Sequence, residues 1–172
     1  MSDLMNWEEI KSVIESGNLQ LLTRTNKDLK IYREFRAKIE KEYGLIDNYL
    51  IKQVLKWNCF DINNNNMSSS SPSEEEYFTA TTSYENYSLK LNDFPYAIDP
   101  SITHYILWSK LPFNPNDNDN REVELFIKEK FGDNKEWLWF INPIRLQSIR
   151  SIHHGHIFIR EKQIINIYSR DK

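Results

Sequence analysis

The sequence predicts an α+β fold: an antiparallel sheet with one inserted helix, packed against an N-terminal helical region. Three observations predict it. Apolar residues recur at helical spacing early in the chain, as in Leu29, Tyr32, Phe35, Ile39 and Tyr43. The second half changes to strand alternation, as in "YSLKLND", where Tyr87, Leu89 and Leu91 share a face. The connections there are short, which favours antiparallel neighbours. The chain has 172 residues, enough for one real core. It divides into a helical region over 1–60, a low-complexity tract over 61–76 and an α+β region over 77–172, one compact domain overall.

The elements follow in order. Asn6 and Glu9 form a capping box before Trp7, Ile10, Val13 and Ile14, and Gly17 ends that helix. A longer helix starts near Thr25 and stops at Gly44. Asp47 caps a third helix carrying Leu50, Val54 and Trp57. The tract "DINNNNMSSSSPSEEE" buries too little apolar surface to order itself and reads as a linker or loop insertion. "YSLKLND" and "THYILWS" (103–109) are strands, and "NPNDNDN" is a loop with a cap signal. "REVELFIKEKF" is the inserted helix, with Val123, Phe126, Ile127 and Phe131 inward and Gly132 as its stop. "EWLWFIN", "HIFIR" and "QIINIY" complete the sheet.

Composition bounds the function. Hydrophobic residues make up 40% and charged residues 27%, a globular balance. The net charge of −3 argues against a nucleic-acid or anionic-membrane partner, so any anion site must be local. Cys59 is the single cysteine, which excludes an intramolecular disulfide and a multi-cysteine zinc site. No signal peptide is legible in "MSDLMNWEEIKS", and no run approaches the roughly 18 apolar residues of a membrane span. The expectation is a cytoplasmic or nuclear protein.

The chemistry concentrates in "SIHHGHIFIR", residues 151–160, which holds three of the four histidines. Strand alternation puts His154 and His156 on one face and His153 on the other. Gly155 lies between the pair, where a glycine marks a bulge or the close approach of a ligand. Several chemistries stay open. The pair binds a metal with His104 as third ligand, supplies a nucleophile or general acid–base, or binds phosphate as a cation. Against these stands a pair on a half-exposed strand face with no chemical task. The upstream "NPIRLQSIRSI" offers Asn142, Arg145, Gln147, Ser148, Arg150 and Ser151, and Arg160 follows. Amides, hydroxyls and guanidinium groups are the usual means of holding a phosphorylated ligand. Lys110 ends the strand that carries His104 and Trp108.

Residues 94–113, "FPYAIDPSITHYILWSKLPF", resemble the histidine-triad superfamily element in which a proline-containing turn leads to a strand ending at a basic residue. A helix, a strand ending in Asn, a polar "QS" stretch and a strand of alternating histidines follow in the same order. The resemblance implies a nucleotide whose phosphates are surrounded by Asn142, Ser148 and the histidines. It places His154 at the middle triad position, which attacks phosphorus, and His156 at the last. Ile152 stands at the first position, where the triad has a histidine. A wider resemblance, carried by "FPYAIDPSITHYILWSK", "WLWFINPIRLQSIRSIHHGHIFIR", "LLTR" and "VLKWN", is to the fungal N-acetylglucosamine-induced protein 1 family. It implies an intracellular protein linked to an amino-sugar response. The activated amino sugar is a uridine nucleotide sugar, so the implied ligand is UTP or a nucleotide sugar, with or without Mg. In that reading Arg24 and Lys110 add charge, Trp108 stacks a base, and His104, Gln147 and Arg160 join the ligand-binding set. The alternatives are a hydrolase or nucleotidyltransferase with His154 as nucleophile, and a non-catalytic regulatory or interaction protein.

Overall fold

The computed structural model describes residues 4–57, 84–113 and 121–162. The tract 61–76, the expected loop 114–120 and the expected last strand "QIINIY" lie outside the described residues.

Helix α1 spans Trp7–Glu15 behind the expected capping box. Asn6 Oδ1 accepts from the N–H of Glu8 and Glu9, each at 3.0 Å, and Glu9 accepts from the Asn6 N–H at 2.8 Å. Helix α2, Asn26–Tyr43, starts at Thr25, whose hydroxyl accepts from the Asp28 N–H. It ends at Gly44, whose φ of 80° lets the chain turn away.

The third helix differs from the expectation. Helix α3 spans Ile46–Tyr49, and its N-cap is Leu45, which has no side-chain acceptor to offer. Asp47 lies inside the first turn, where its charge suits the helix dipole, and does not cap. The helix then widens into a π turn over Leu50–Leu55 and stops at Lys56, in the left-handed region at φ 55°. Trp57 therefore falls beyond the helix and packs from the side.

Four strands form one antiparallel sheet: β1 (Tyr87–Leu91), β2 (Thr103–Ser109), β3 (Lys135–Phe140) and β4 (His153–Glu161), in the order β1-β2-β4-β3. β2 and β3 both run antiparallel to β4, so they run parallel to each other. Parallel strands need a long crossover, which is the place of helix α4, Arg121–Phe131. The register is continuous through Leu107↔Gly155, so Gly155 makes no bulge. β3 stops at Phe140, which leaves Asn142 in the following loop.

Both faces of the central strands are buried. One face meets α4: Leu107, Ile157 and Ile159 pack against Val123, Phe126 and Ile127. The other face meets the N-terminal helices in two clusters. Phe140 and Phe158 pack with Trp7 and Ile10 of α1, and Ile106, Trp108 and Ile152 pack with Ile39, Ile46 and Leu50. The N-terminus is tied down beside the first cluster by Met5 N–H to Ala97 O (3.0 Å) and Asp99 N–H to Met5 O (2.9 Å). His104, His154 and His156 lie on the face turned to the N-terminal helices, and all three are buried.

Candidate functional site

His154 and His156 stand where two connected hollows meet between the sheet and the N-terminal helices. The larger, about 340 Å3, is walled by apolar and aromatic side chains including Phe35, Tyr49, Phe94 and Trp108. The smaller, about 240 Å3, is lined by Thr23, Tyr96, Asn142 and Gln147 among others. Arg24, Ser148, His154 and His156 line both. Together they reach the size range of small-molecule sites.

Alternation places the pair as expected: His153 is exposed while His154 and His156 are 6% and 5% exposed. The half-exposed strand face is thereby corrected to a buried one, because α2 and α3 cover it. Gly155 faces the other side, where a Cβ would meet Phe140 O at 3.4 Å and the Trp139 ring at 3.6 Å. The close neighbour of Gly155 is a tryptophan, so that position is not where a ligand approaches.

Hydrogen bonds set the state of each ring. Asn92 Oδ1 accepts from the Phe94 N–H at 3.0 Å, which turns Asn92 Nδ2 toward His104 Nδ1 at 3.3 Å. The Tyr96 N–H faces the same nitrogen at 3.4 Å. Both groups only donate, so His104 Nδ1 accepts and Nε2 carries the proton. His104 Nε2 then donates to His156 Nδ1 at 3.0 Å. That leaves the proton of His156 on Nε2, 3.0 Å from the Asn142 amide. Amide oxygen and nitrogen are assigned from such networks, and this one assigns the oxygen to face His156. With the amide turned that way, the Tyr96 hydroxyl, 2.9 Å from the same atom, donates to the oxygen instead of accepting from the amide nitrogen.

His154 stands apart from this chain. Its Nδ1 lies 2.9 Å from Ile152 O and can only donate to it. Nε2 therefore carries the lone pair, and it makes no hydrogen bond among the described residues. The ring packs on Trp108 at 5.1 Å and edge-on to His156 at 5.8 Å. Burial lowers the pKa of all three rings: His154 falls below its usual value, His156 well below, and His104 to about 3. Burial thus favours the neutral imidazole in each ring, which disfavours a histidine cation in the cleft before a ligand binds.

Positive charge comes instead from Arg24. Its Nε donates to Phe94 O at 2.8 Å, and its guanidinium lies 4.4 Å over the Tyr32 ring and 5.6 Å from that of Tyr96. Arg36 ties α2 to the loop before β4 through Nη1 to Ser148 O at 3.0 Å. Gln147 Nε2 is occupied by Asn142 O at 2.7 Å and braces that loop.

The fold thus brings Arg24, Trp108, Asn142, Gln147, Ser148, His154 and His156 to one cleft. His104 lies behind His156 and does not line it. Lys110 sits 5.9 Å from the Trp57 ring, outside the lining. Arg160 is elsewhere: it pairs with Glu136 and Glu8 and lies 4.5 Å over Trp7. Tyr32, Arg36, Asn92 and Tyr96 were not singled out in the sequence. The α2 stripe with its interleaved arginines, and Tyr96 inside the proline turn, were the signals available. Among the described residues no group of three or more His, Cys, Asp or Glu could hold a metal ion, and no helix is long and apolar enough to cross a membrane. The His104–His154–His156 metal site has no support in this geometry, because two of the rings are bonded to each other.

Known proteins are similar to most of this chain. The Saccharomyces cerevisiae uncharacterized protein YPL067C is 30% identical over 167 residues, which cover 89% of this chain and 77% of that one. The Candida albicans N-acetylglucosamine-induced protein 1 is 25% identical over 176 residues, covering 92% and 69%. The crystal structure of HTC1 matches with a TM-score of 0.61 at 27% identity, over 91% of this chain and 85% of that one. Residues 6–160 match a family profile from end to end of the described fold, and the chain belongs to that family, Protein of unknown function (DUF3605).

Proposed function

We propose that this chain binds a nucleotide in the cleft, with its phosphates at the Arg24–His154 end and its base in the aromatic chamber beside Trp108. The observation that carries the reading is His154. Its ring is buried, neutral and fixed as the Nδ1–H tautomer, with an unshared Nε2 at the junction of an aromatic chamber and a polar one. A nucleotide has the matching two-part chemistry. The histidine-triad-like order of turn, strand, helix and histidine strand supports phosphate as the group near His154. The Candida relative's name supports a link to N-acetylglucosamine, and thereby UTP or a uridine nucleotide sugar as the ligand. Fold-level analogy of this kind ranks below the geometry. Any Mg would arrive with the phosphates, because Asp93 is the one carboxylate lining the larger chamber.

Calorimetry of the full chain with UTP, CTP, ATP, GTP and a uridine nucleotide sugar tests this. Binding that favours the uridine ligands is expected. The absence of any heat at high micromolar ligand would refute it.

A second reading, a hydrolase or nucleotidyltransferase, is favoured by the tautomer of His154. Its Nε2 lone pair forms an N–P bond as the P–O bond to the leaving group breaks, and water or a second hydroxyl then takes the phosphoryl or nucleotidyl group. His156 has both ring nitrogens bonded, so it is not free to protonate a leaving group. A phosphate leaving group departs as an anion and needs no such proton. Turnover of UTP or the nucleotide sugar by wild type and by His154→Ala decides it; equal rates remove His154 from the chemistry. A smooth surface at the histidine strand would have favoured the non-catalytic interaction reading; nucleotide binding without turnover is compatible with it.

A further inference from the structure

We infer that Tyr32 and Arg24 form the anion-holding corner of the cleft and that a phosphate is the group they take. The nucleotide reading supplies the rest of such a ligand, but the corner stands on separate observations.

Tyr32 lies on α2 and lines the larger chamber. Its hydroxyl is buried and has no hydrogen-bond partner among the described residues. A buried hydroxyl left unpaired costs free energy, and folded proteins rarely keep one without a task. No described residue accepts its proton. Arg24 lies 4.4 Å over the ring, Phe94 meets it edge-on at 5.3 Å, and Arg36 and Tyr96 are electrostatically coupled to it. Guanidinium groups only donate, and a phenylalanine edge offers no lone pair. In this reading the acceptor is a group of the ligand that enters the cleft. Beside two guanidinium groups, it is an anion.

Arg24 is prepared for the same partner. Its Nε is held by Phe94 O, which fixes the plane of the fork. Its terminal nitrogens make no hydrogen bond among the described residues. A fixed fork plus a phenol O–H places several donors along one wall of the larger chamber, which suits the several oxygens of a phosphate. Arg24 lines both hollows, so an anion held there is within the same cleft as His154. The N-terminal helical region, and not only the histidine strand, thereby anchors the ligand.

The test compares wild type with Tyr32→Phe. Thermal unfolding is measured without ligand, and binding of tripolyphosphate and of UTP is measured by calorimetry. Tyr32→Phe is expected to melt at or above wild type, because it removes an orphaned hydroxyl. It is expected to bind both anions about tenfold more weakly or worse, the effect of losing one hydrogen bond to a charged group. Unchanged binding of both anions, or a lower melting temperature with unchanged binding, overturns the corner. If tripolyphosphate binds in a Tyr32-dependent way and UTP does not bind, the corner stands and the nucleoside falls. If UTP binds both proteins equally, the corner falls and the nucleotide reading stands. If wild type binds neither anion, both fall.

Discussion

His104 Nε2 lies 3.0 Å from His156 Nδ1, so two buried imidazoles on neighbouring strands are hydrogen-bonded to each other. The register explains the meeting. Ile106 pairs with His156, which makes His104 its diagonal neighbour on the same face. The bond extends to Asn92 and Tyr96 on one side and Asn142 on the other, a chain in which every ring is neutral.

Neutral burial sets a pH dependence. The pKa of His104 falls to about 3 in the folded chain, and those of His154 and His156 are also lowered. The unfolded chain takes up histidine protons near pH 6.5, where the folded chain does not. Stability is therefore fully present above about pH 6.5 and declines as pH falls below it, at up to about 1.4 kcal/mol per pH unit for each such ring. Urea unfolding at several values between neutrality and pH 5 measures the slope. A flat profile over that window, before carboxylates titrate, would contradict neutral burial.

The tautomers differ between adjacent sites. His154 should carry its proton on Nδ1, and His104 and His156 on Nε2. Long-range proton–nitrogen correlation spectra of labelled protein distinguish the two ring nitrogens. Finding the His156 proton on Nδ1 would reverse the direction of the whole chain.

Asn142→Ala removes the acceptor shared by His156 and the Tyr96 hydroxyl. Two buried donors then lack partners, and the expected loss is about 1–3 kcal/mol of stability or somewhat more. Denaturant unfolding reads it. A change under about 0.5 kcal/mol, the scale of surface substitutions, would mean that the amide is not the keystone of this chain.

Gly155 separates a packing role from a ligand role. An alanine Cβ meets Phe140 O at 3.4 Å and the Trp139 ring at 3.6 Å, ordinary contact distances. Gly155→Ala should stay within about 1 kcal/mol of wild type, while Gly155→Leu should cost about 1–3 kcal/mol by overpacking against Trp139. Both should leave ligand affinity unchanged if the proteins remain folded. Weaker nucleotide binding by the alanine variant at full stability would return Gly155 to the site.

Legibility in the sequence followed the range of the interaction. The cap of α1 and the ends of α2 depend on residues within a turn of each other, and they stand where pattern reading puts them. The third helix fails that reading because an aspartate near a helix start can serve the dipole from inside the first turn as well as cap it. Arg160 was grouped with the phosphate residues by proximity in sequence. On β4 it is four residues beyond His156, about 13 Å along an extended strand, and there Glu136 of β3 and Glu8 of α1 claim it.

By itself the sequence determined the α+β class, the bounds of β2 and α4, and the parity that faces His154 and His156 together, because periodicity and capping are local. It did not determine the strand order, the chain of buried rings or the walls of the cleft. Those rest on contacts such as Arg24 with Phe94 and Arg36 with Ser148, which join residues 70 and 112 positions apart. Contacts of that reach form only when α2 is laid across the sheet. The same packing removes water from the histidines, and that burial is what holds them neutral.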